Sequence, residues 1–218
     1  MSLFSETRFL IAKELKLEWR QKYAFNGVLL YLFSTVFIIY ISLFEMKPVI
    51  WNALFWIILL FTSVNAIAKS FLQESPGKLL YYYFIVSPQA ILLSKMIYNT
   101  ALMLVLSILG YIVYSILLGN MVANPVYFLM VVITGSISFS VIFTMISAIA
   151  SKAGNNFTLM AILSFPVIIP VLLFLMKLSL GCIFIDDVFP EKDFFLLALI
   201  DLIVVITAYI LFPYLWRD

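Results

Sequence analysis

An all-α polytopic membrane protein, with six transmembrane helices behind an N-terminal amphipathic interfacial helix, is the fold class this sequence predicts. Three observations carry that prediction. Of 218 residues, 65% are apolar and 11% charged, with a mean hydropathy of +1.16; soluble domains run about 45–50% and about 25%. Six stretches approach the roughly 20 residues that cross a hydrocarbon core. Those stretches are continuously apolar rather than alternating, which favours helices over barrel strands. The chain reads as one transmembrane domain, residues 1–218.

Residues 1–26 come first. At 100° per residue, Phe4, Ile11, Leu15 and Trp19 share one arc and Lys13, Lys16 and Arg20 the opposite one, with Phe9 and Leu17 breaking the pattern. Such a helix lies at the interface with its cations near anionic lipid. It serves either as a topology anchor or as an elbow that braces the bundle and touches a cytoplasmic partner. The segment is charged and lacks the compact apolar centre of a cleavable signal, so the first span is expected to be its own membrane signal.

The spans follow near residues 27–44, 49–68, 96–118, 125–150, 156–176 and 194–216. An even number puts both termini on one side. That side carries Arg8, Lys13, Lys16, Arg20, Lys22, Lys69, Lys78, Lys95, Lys152 and Arg217; the other carries Lys47, Lys177 and Lys192. Ten of the 13 basic residues on one side place both termini in the cytoplasm. Trp51, Trp56, Tyr127, Tyr209, Tyr214 and Trp216 lie toward span ends, where amphipathic rings favour the headgroup layer.

Between the second and third spans, residues 69–95 form the richest segment. Pro76-Gly77 is a turn signal, and Lys78 to Val86, with Tyr81, Tyr82 and Tyr83, reads as a short aromatic helix against the membrane. Ser87-Pro88 reads as a capping serine followed by proline at the first helical position. The third helix is therefore expected to start near Pro88, below the membrane, with Lys95 snorkelling to the interface. Either this segment is a coupling loop that docks on an ATPase, carried by Phe71, Glu74, Gly77, Lys78, Tyr81, Tyr83, Ser87 and Pro88, or it is an interfacial turn that holds nothing. Ser151 to Asn156 reads as a tight connector.

Within the membrane, the fourth span carries Gly135, Ser136, Ser138, Ser140, Ser147 and Ala148, a stripe of small residues suited to a packing or dimer seam. In the fifth, Pro166 and Pro170 each remove a donor and open a carbonyl one turn back. A kink or break is expected there, serving as a hinge, a polar notch or a static bend. Asp201 is the one formal charge within a span. It faces a pathway or subunit contact, or, the favoured reading, sits shallow enough to reach water on the outer side. Asn65 and Asn99 are expected to bond between helices. In the outer loop, Asp186-Asp187 lacks the further ligands a calcium site needs; the loop reads as a solvated negative face or a short surface helix, Leu178–Phe184.

Several chemistries are excluded. The chain has no histidine and one cysteine, Cys182, so His-based catalysis, His-ligated metal or haem, and an internal disulfide are out. No Walker pattern occurs; Gly77-Lys78 has Leu72 where the first glycine belongs and Leu79 after the lysine. No nucleic-acid patch is present. The chain is expected not to be an enzyme, and to hold no cofactor or metal of its own.

Taken together, the basic N-terminus (Arg8, Lys13-Glu14-Leu15, Arg20), the run from Phe71-Leu-Gln-Glu74 through Ser87-Pro88 to Ser94-Lys95, and the stretch Phe165-Pro166 to Pro170-Val-Leu-Leu-Phe174 resemble the CcmB family, haem exporter protein B. The resemblance covers nearly the whole chain. It departs where the family often has Leu-Pro in place of Phe165-Pro166 and a less aromatic loop than Tyr81-Tyr82-Tyr83. It implies an ABC-exporter type of permease in the bacterial inner membrane. The partners it implies are a second copy of the chain, a cytoplasmic ATPase subunit that binds ATP, a haem-handling membrane subunit and a haem chaperone, with haem as cargo. The function it implies is coupling of the partner's ATP hydrolysis to haem export, or to release of haem-loaded chaperone. Two other classes stay open: a six-span ABC permease for lipid, polysaccharide or drug, and a non-ABC membrane assembly protein.

Overall fold

Three of the long helices begin on proline, which needs no hydrogen-bond donor in a first turn and has the right φ built in. The computed structural model describes residues 3–20, 22–42, 45–67, 69–72, 86–152, 157–184 and 191–217. Among them the helices are α1 (Leu3–Arg20), α2 (Lys22–Ser42), α3 (Pro48–Ile67), a single turn α4 (Lys69–Leu72), α5 (Pro88–Leu118), α6 (Pro125–Lys152), α7 (Phe157–Ile183) and α8 (Glu191–Arg217). Six of these, α2, α3 and α5 to α8, are long and apolar enough to cross a membrane. The chain is thus an all-helical, multi-pass membrane protein.

Helix α6 is the hub. It packs against α3, α4, α5, α7 and α8. The small-residue stripe makes that possible: Gly135, Ser136, Ser138, Ser140, Ser147 and Ala148 are all buried inside the one chain. The stripe is therefore an internal packing seam and not a surface left for a second copy. Gly135 shows the tightness. A Cβ there would lie 2.6 Å from the Trp56 ring and 3.1 Å from Leu175.

Two apolar clusters form. The larger gathers Trp51, Phe55, Trp56, Tyr114, Phe128 and Phe139 toward the side away from the termini. Trp51 stacks on Phe55 at 5.8 Å and meets Tyr114 edge-on at 4.9 Å. The smaller joins Leu10, Phe71, Leu92, Met96, Ala148 and Phe212 on the terminal side. Trp51 and Trp56 are fully buried, so they are core residues and not part of a headgroup belt; Tyr127, Tyr209 and Tyr214 are exposed, as that belt requires. The tryptophans turn inward because their indole N–H groups find partners there: the Gly119 carbonyl for Trp51, at 3.0 Å, and Ser179 for Trp56. Gly119 ends α5 at φ 81°, a conformation side chains avoid.

Other boundaries differ from the sequence reading. Helix α7 runs on to Ile183, and Leu178, Ser179 and Cys182 are buried; residues 178–183 continue the span and form no separate surface helix. The same helix is unbroken across Pro166 and Pro170, whose side chains face outward. The loss of two donors on an exposed face leaves the buried face of the ladder intact. Residues 153–156 and 185–190 lie outside the described residues.

Candidate functional site: the junction on the terminal side

The site is built where α4 meets α6 and the start of α5, with α1 packed along α5. Helix α5 is 31 residues long, about 46 Å at 1.5 Å per residue, against a core of roughly 30 Å. Its first turns extend beyond the apolar layer, and α1 packs along them. Two contacts fix the register. The Ser87 hydroxyl and amide donate to Glu6 Oε2 at 2.7 and 3.1 Å, and Lys95 Nζ lies 3.7 Å from Glu14 Oε1. Each pair is separated by the same stretch of sequence, 81 residues for Glu6–Ser87. The two helices therefore run side by side in the same direction. The outer arc of α1 keeps Phe4, Leu15 and Trp19 exposed, while Thr7 and Leu10 are buried. Of the two roles open for this helix, bracing of the bundle is the one its packing fits.

The Ser87 hydroxyl, then the Ser87 amide, hold the Glu6 carboxyl below its ordinary value. Ser87 has the extended backbone of a cap (φ −67°, ψ 138°), yet its side chain makes no capping bond and reaches Glu6 instead. Pro88 opens α5 as the sequence predicts.

Lys95 is 3% exposed and does not snorkel. Its ammonium donates to the Ser70 carbonyl, faces Glu14, and sits 4.9 Å from the Phe71 ring centre. A buried ammonium is costly unless paired and hydrogen-bonded. Here the compensation comes from α1 and α4, so both helices are pinned to α5. Asn99, one turn further, donates to Ser70 Oγ at 3.1 Å and Thr144 Oγ1 at 2.8 Å. The Phe71 amide approaches Ser147 Oγ at 3.4 Å, and its ring lies 5.7 Å from Phe212. One helical turn thus touches α5, α6 and α8, and the chain leaves it directly for residues 73–85. Of the coupling residues, Phe71, Ser87 and Pro88 fall in this junction. Glu74, Gly77, Lys78, Tyr81 and Tyr83 lie outside the described residues.

Two further expectations are corrected. Asn65 is exposed and donates to Phe61 of its own helix at 3.0 Å, because its side points away from the bundle. Asp201 is 7% exposed and is met by Ser138 of α6 at 2.7 Å; inward placement on α8, not depth alone, removes it from water. Asn99 does bond between helices, as predicted.

Glu6 and Ser70 carry no signal of their own in the sequence, and Glu14 enters it only within the Lys13-Glu14-Leu15 run of the resemblance. The usable signal was spacing: two carboxylates eight apart, matched by Ser87 and Lys95 eight apart. Another missed group lies at the far end, where Trp56 Nε1 donates to Ser179 Oγ at 2.7 Å, Ser179 to Asn52 Oδ1 at 2.6 Å, and Asn52 to the Met176 carbonyl at 2.8 Å. It joins α3 to α7.

Against known proteins, the family model described as CcmB protein matches residues 6–213. The chain belongs to the CcmB family. The match begins at Glu6, the first residue of the junction, and ends at Pro213 in α8, so the whole bundle is included. As a CcmB protein it is a membrane permease subunit of the haem exporter system of cytochrome c maturation, not itself a catalyst. No curated protein and no solved structure matches the chain.

Proposed function

We propose that the chain is the transmembrane half of an ABC complex, and that it converts ATP hydrolysis on a cytoplasmic partner into movement of its helices. The observation that carries this reading is the Lys95 junction, which ties the turn entering residues 73–85 to α1, α5 and α6 within a CcmB chain. A push on Glu74, Gly77, Lys78, Tyr81 or Tyr83 enters α4 at one end and α5 at Ser87-Pro88 at the other. Rigid attachment at both ends is what a coupling loop requires, since slack would absorb the motion. Helices α3 and α5 then tilt, and α7 yields at Pro166 and Pro170, where two missing donors soften the ladder.

In this reading both termini are cytoplasmic, the membrane is the bacterial inner membrane, and a second copy completes the complex. A haem-handling membrane subunit and a haem chaperone stand on the other side of the reaction. The sequence has no histidine, so the usual haem ligand comes from a partner. That favours ATP-driven release of haem-loaded chaperone over ligation of haem by this chain, with haem as cargo in either case. ATP is held by the partner, and no cofactor belongs to this chain.

The test is a mild-detergent pull-down from the native membrane with mass spectrometry. The reading expects an ATPase together with cytochrome-maturation proteins. An ATPase with unrelated envelope proteins would remove haem and leave a permease for lipid, polysaccharide or drug. Absence of any ATPase would overturn the coupling role.

A further inference from the structure

Beyond the Lys95 junction, α1 and α5 separate, and α2 starts at the elbow after Arg20. The gap is a groove of about 430 Å³, within the roughly 300–1,000 Å³ of small-molecule sites. Its polarity is graded. Glu18, Asn26 and Tyr98 lie at the elbow end, next to the level of Lys95; Ala101, Leu102 and Val105 line it further along α5. From Tyr98 to Val105 the helix rises about 10 Å, into the apolar run of the span. The Tyr98 hydroxyl is buried at this end and faces the Glu18 carboxylate. Trp19, on the rim, is 81% exposed.

In a multi-pass chain this groove opens beside the bilayer, not beside water. An occupant must match one polar end at the interface and an apolar remainder pointing into the hydrocarbon. A phospholipid has that polarity. The charge narrows it further. Glu18, in the lining, is an anion that suits an ammonium headgroup. The same anion disfavours the carboxylates of haem and the uncompensated charge of an anionic lipid.

We propose that this groove is a binding site for an amine-headgroup phospholipid from the leaflet on the terminal side, its acyl chain along Ala101 to Val105 and its ammonium at Glu18. The lipid completes the contact among α1, α2 and α5. It wedges the elbow whose other end is held by Glu6 and Glu14.

The test is native mass spectrometry of the full chain, with whatever partners it carries. The sample is released from nanodiscs of equal parts phosphatidylethanolamine, phosphatidylglycerol and phosphatidylcholine. Wild type is expected to retain phosphatidylethanolamine about two- to five-fold above its share, the factor of a partly exposed ion pair. Glu18→Gln is expected to keep a bound lipid but lose that preference. Ala101→Trp, which fills the groove, is expected to lose the adduct. Should that variant fail to fold, the Glu18→Gln comparison still decides. Retention in proportion to the nanodisc mixture, an unchanged preference in Glu18→Gln, or haem in place of lipid would each overturn the proposal.

Discussion

The two ends of the bundle are held by different physics. Away from the termini, Trp51, Phe55, Trp56, Tyr114 and Phe128 form an aromatic mass, with Asn52 and Ser179 satisfying the few polar atoms inside it. On the terminal side, α1 and the single turn α4 are held to α5 by an ammonium, two carboxylates and short hydrogen bonds. Packing of large rings is insensitive to pH and gives one arrangement. Charged contacts at a partly wet edge are adjustable, and each is weak enough to re-form. The contrast teaches where motion belongs: a fixed far end and a resettable near end allow helices to pivot without losing the fold.

The largest effect separating the ends is expected from Trp56→Ala. It removes a fully buried ring and the donor to Ser179, which keeps Asn52 as its acceptor, costing about 3–5 kcal/mol; the melting temperature in detergent reads it. Gly135→Leu is expected to fail similarly, through collision with the same ring. At the near end, Lys95→Met keeps the length of the stem but leaves the Ser70 carbonyl unmatched and Glu14 with Lys13 in place of Lys95. Its cost is expected to be smaller, about 1–3 kcal/mol, because Glu14 is partly exposed. Equal losses for Trp56→Ala and Lys95→Met would break the contrast.

A third effect depends on pH. The Glu6 carboxyl sits below its ordinary value because its charged form accepts from Ser87. Its contribution is therefore present above the ordinary carboxylate value, about 4.3, and fades as pH falls through the lowered value. Acidification is expected to speed hydrogen exchange around Ser87 and along α1 while leaving α3 protected. Glu6→Gln is expected to abolish that dependence; the same acid response in the variant counts against the latch. The smallest effects come from the asparagines. Asn99→Ala is expected to cost roughly 0.6–1.7 kcal/mol, the range of interhelical bonds in membranes. Asn65→Ala, bonded only within α3, is expected to stay within about 0.5 kcal/mol, both by thermal unfolding.

How much of this was legible in the sequence follows from what each feature depends on. Six helices could be read because span length and apolar continuity are local. Pro88 and Gly119 mark their helix ends by chemistry of their own backbones. Which face a residue takes is not local. Trp51 and Trp56 resemble belt residues at their span ends and turn inward because Gly119 and Ser179 await them. Asn65 and Asn99 look alike in sequence, and only the packing of α6 beside α5 separates them. Lys95 looked like a snorkelling cation because its partners, Glu14 and Ser70, come from elements whose docking no local pattern announces. The junction itself was half legible: Phe71, Ser87 and Pro88 were found through turn and cap chemistry, Glu6 and Glu14 only through contact.

The central claim is that the Lys95 junction transmits force between a partner ATPase and the bundle. The direct measurement is ATP hydrolysis and haem attachment to cytochrome c by the purified complex, comparing wild type, Lys95→Met and Asn65→Ala at a temperature where all three are folded. The account predicts that Lys95→Met still assembles and hydrolyses ATP while haem attachment falls at least tenfold, with Asn65→Ala unchanged. Full haem attachment per ATP in Lys95→Met would contradict it.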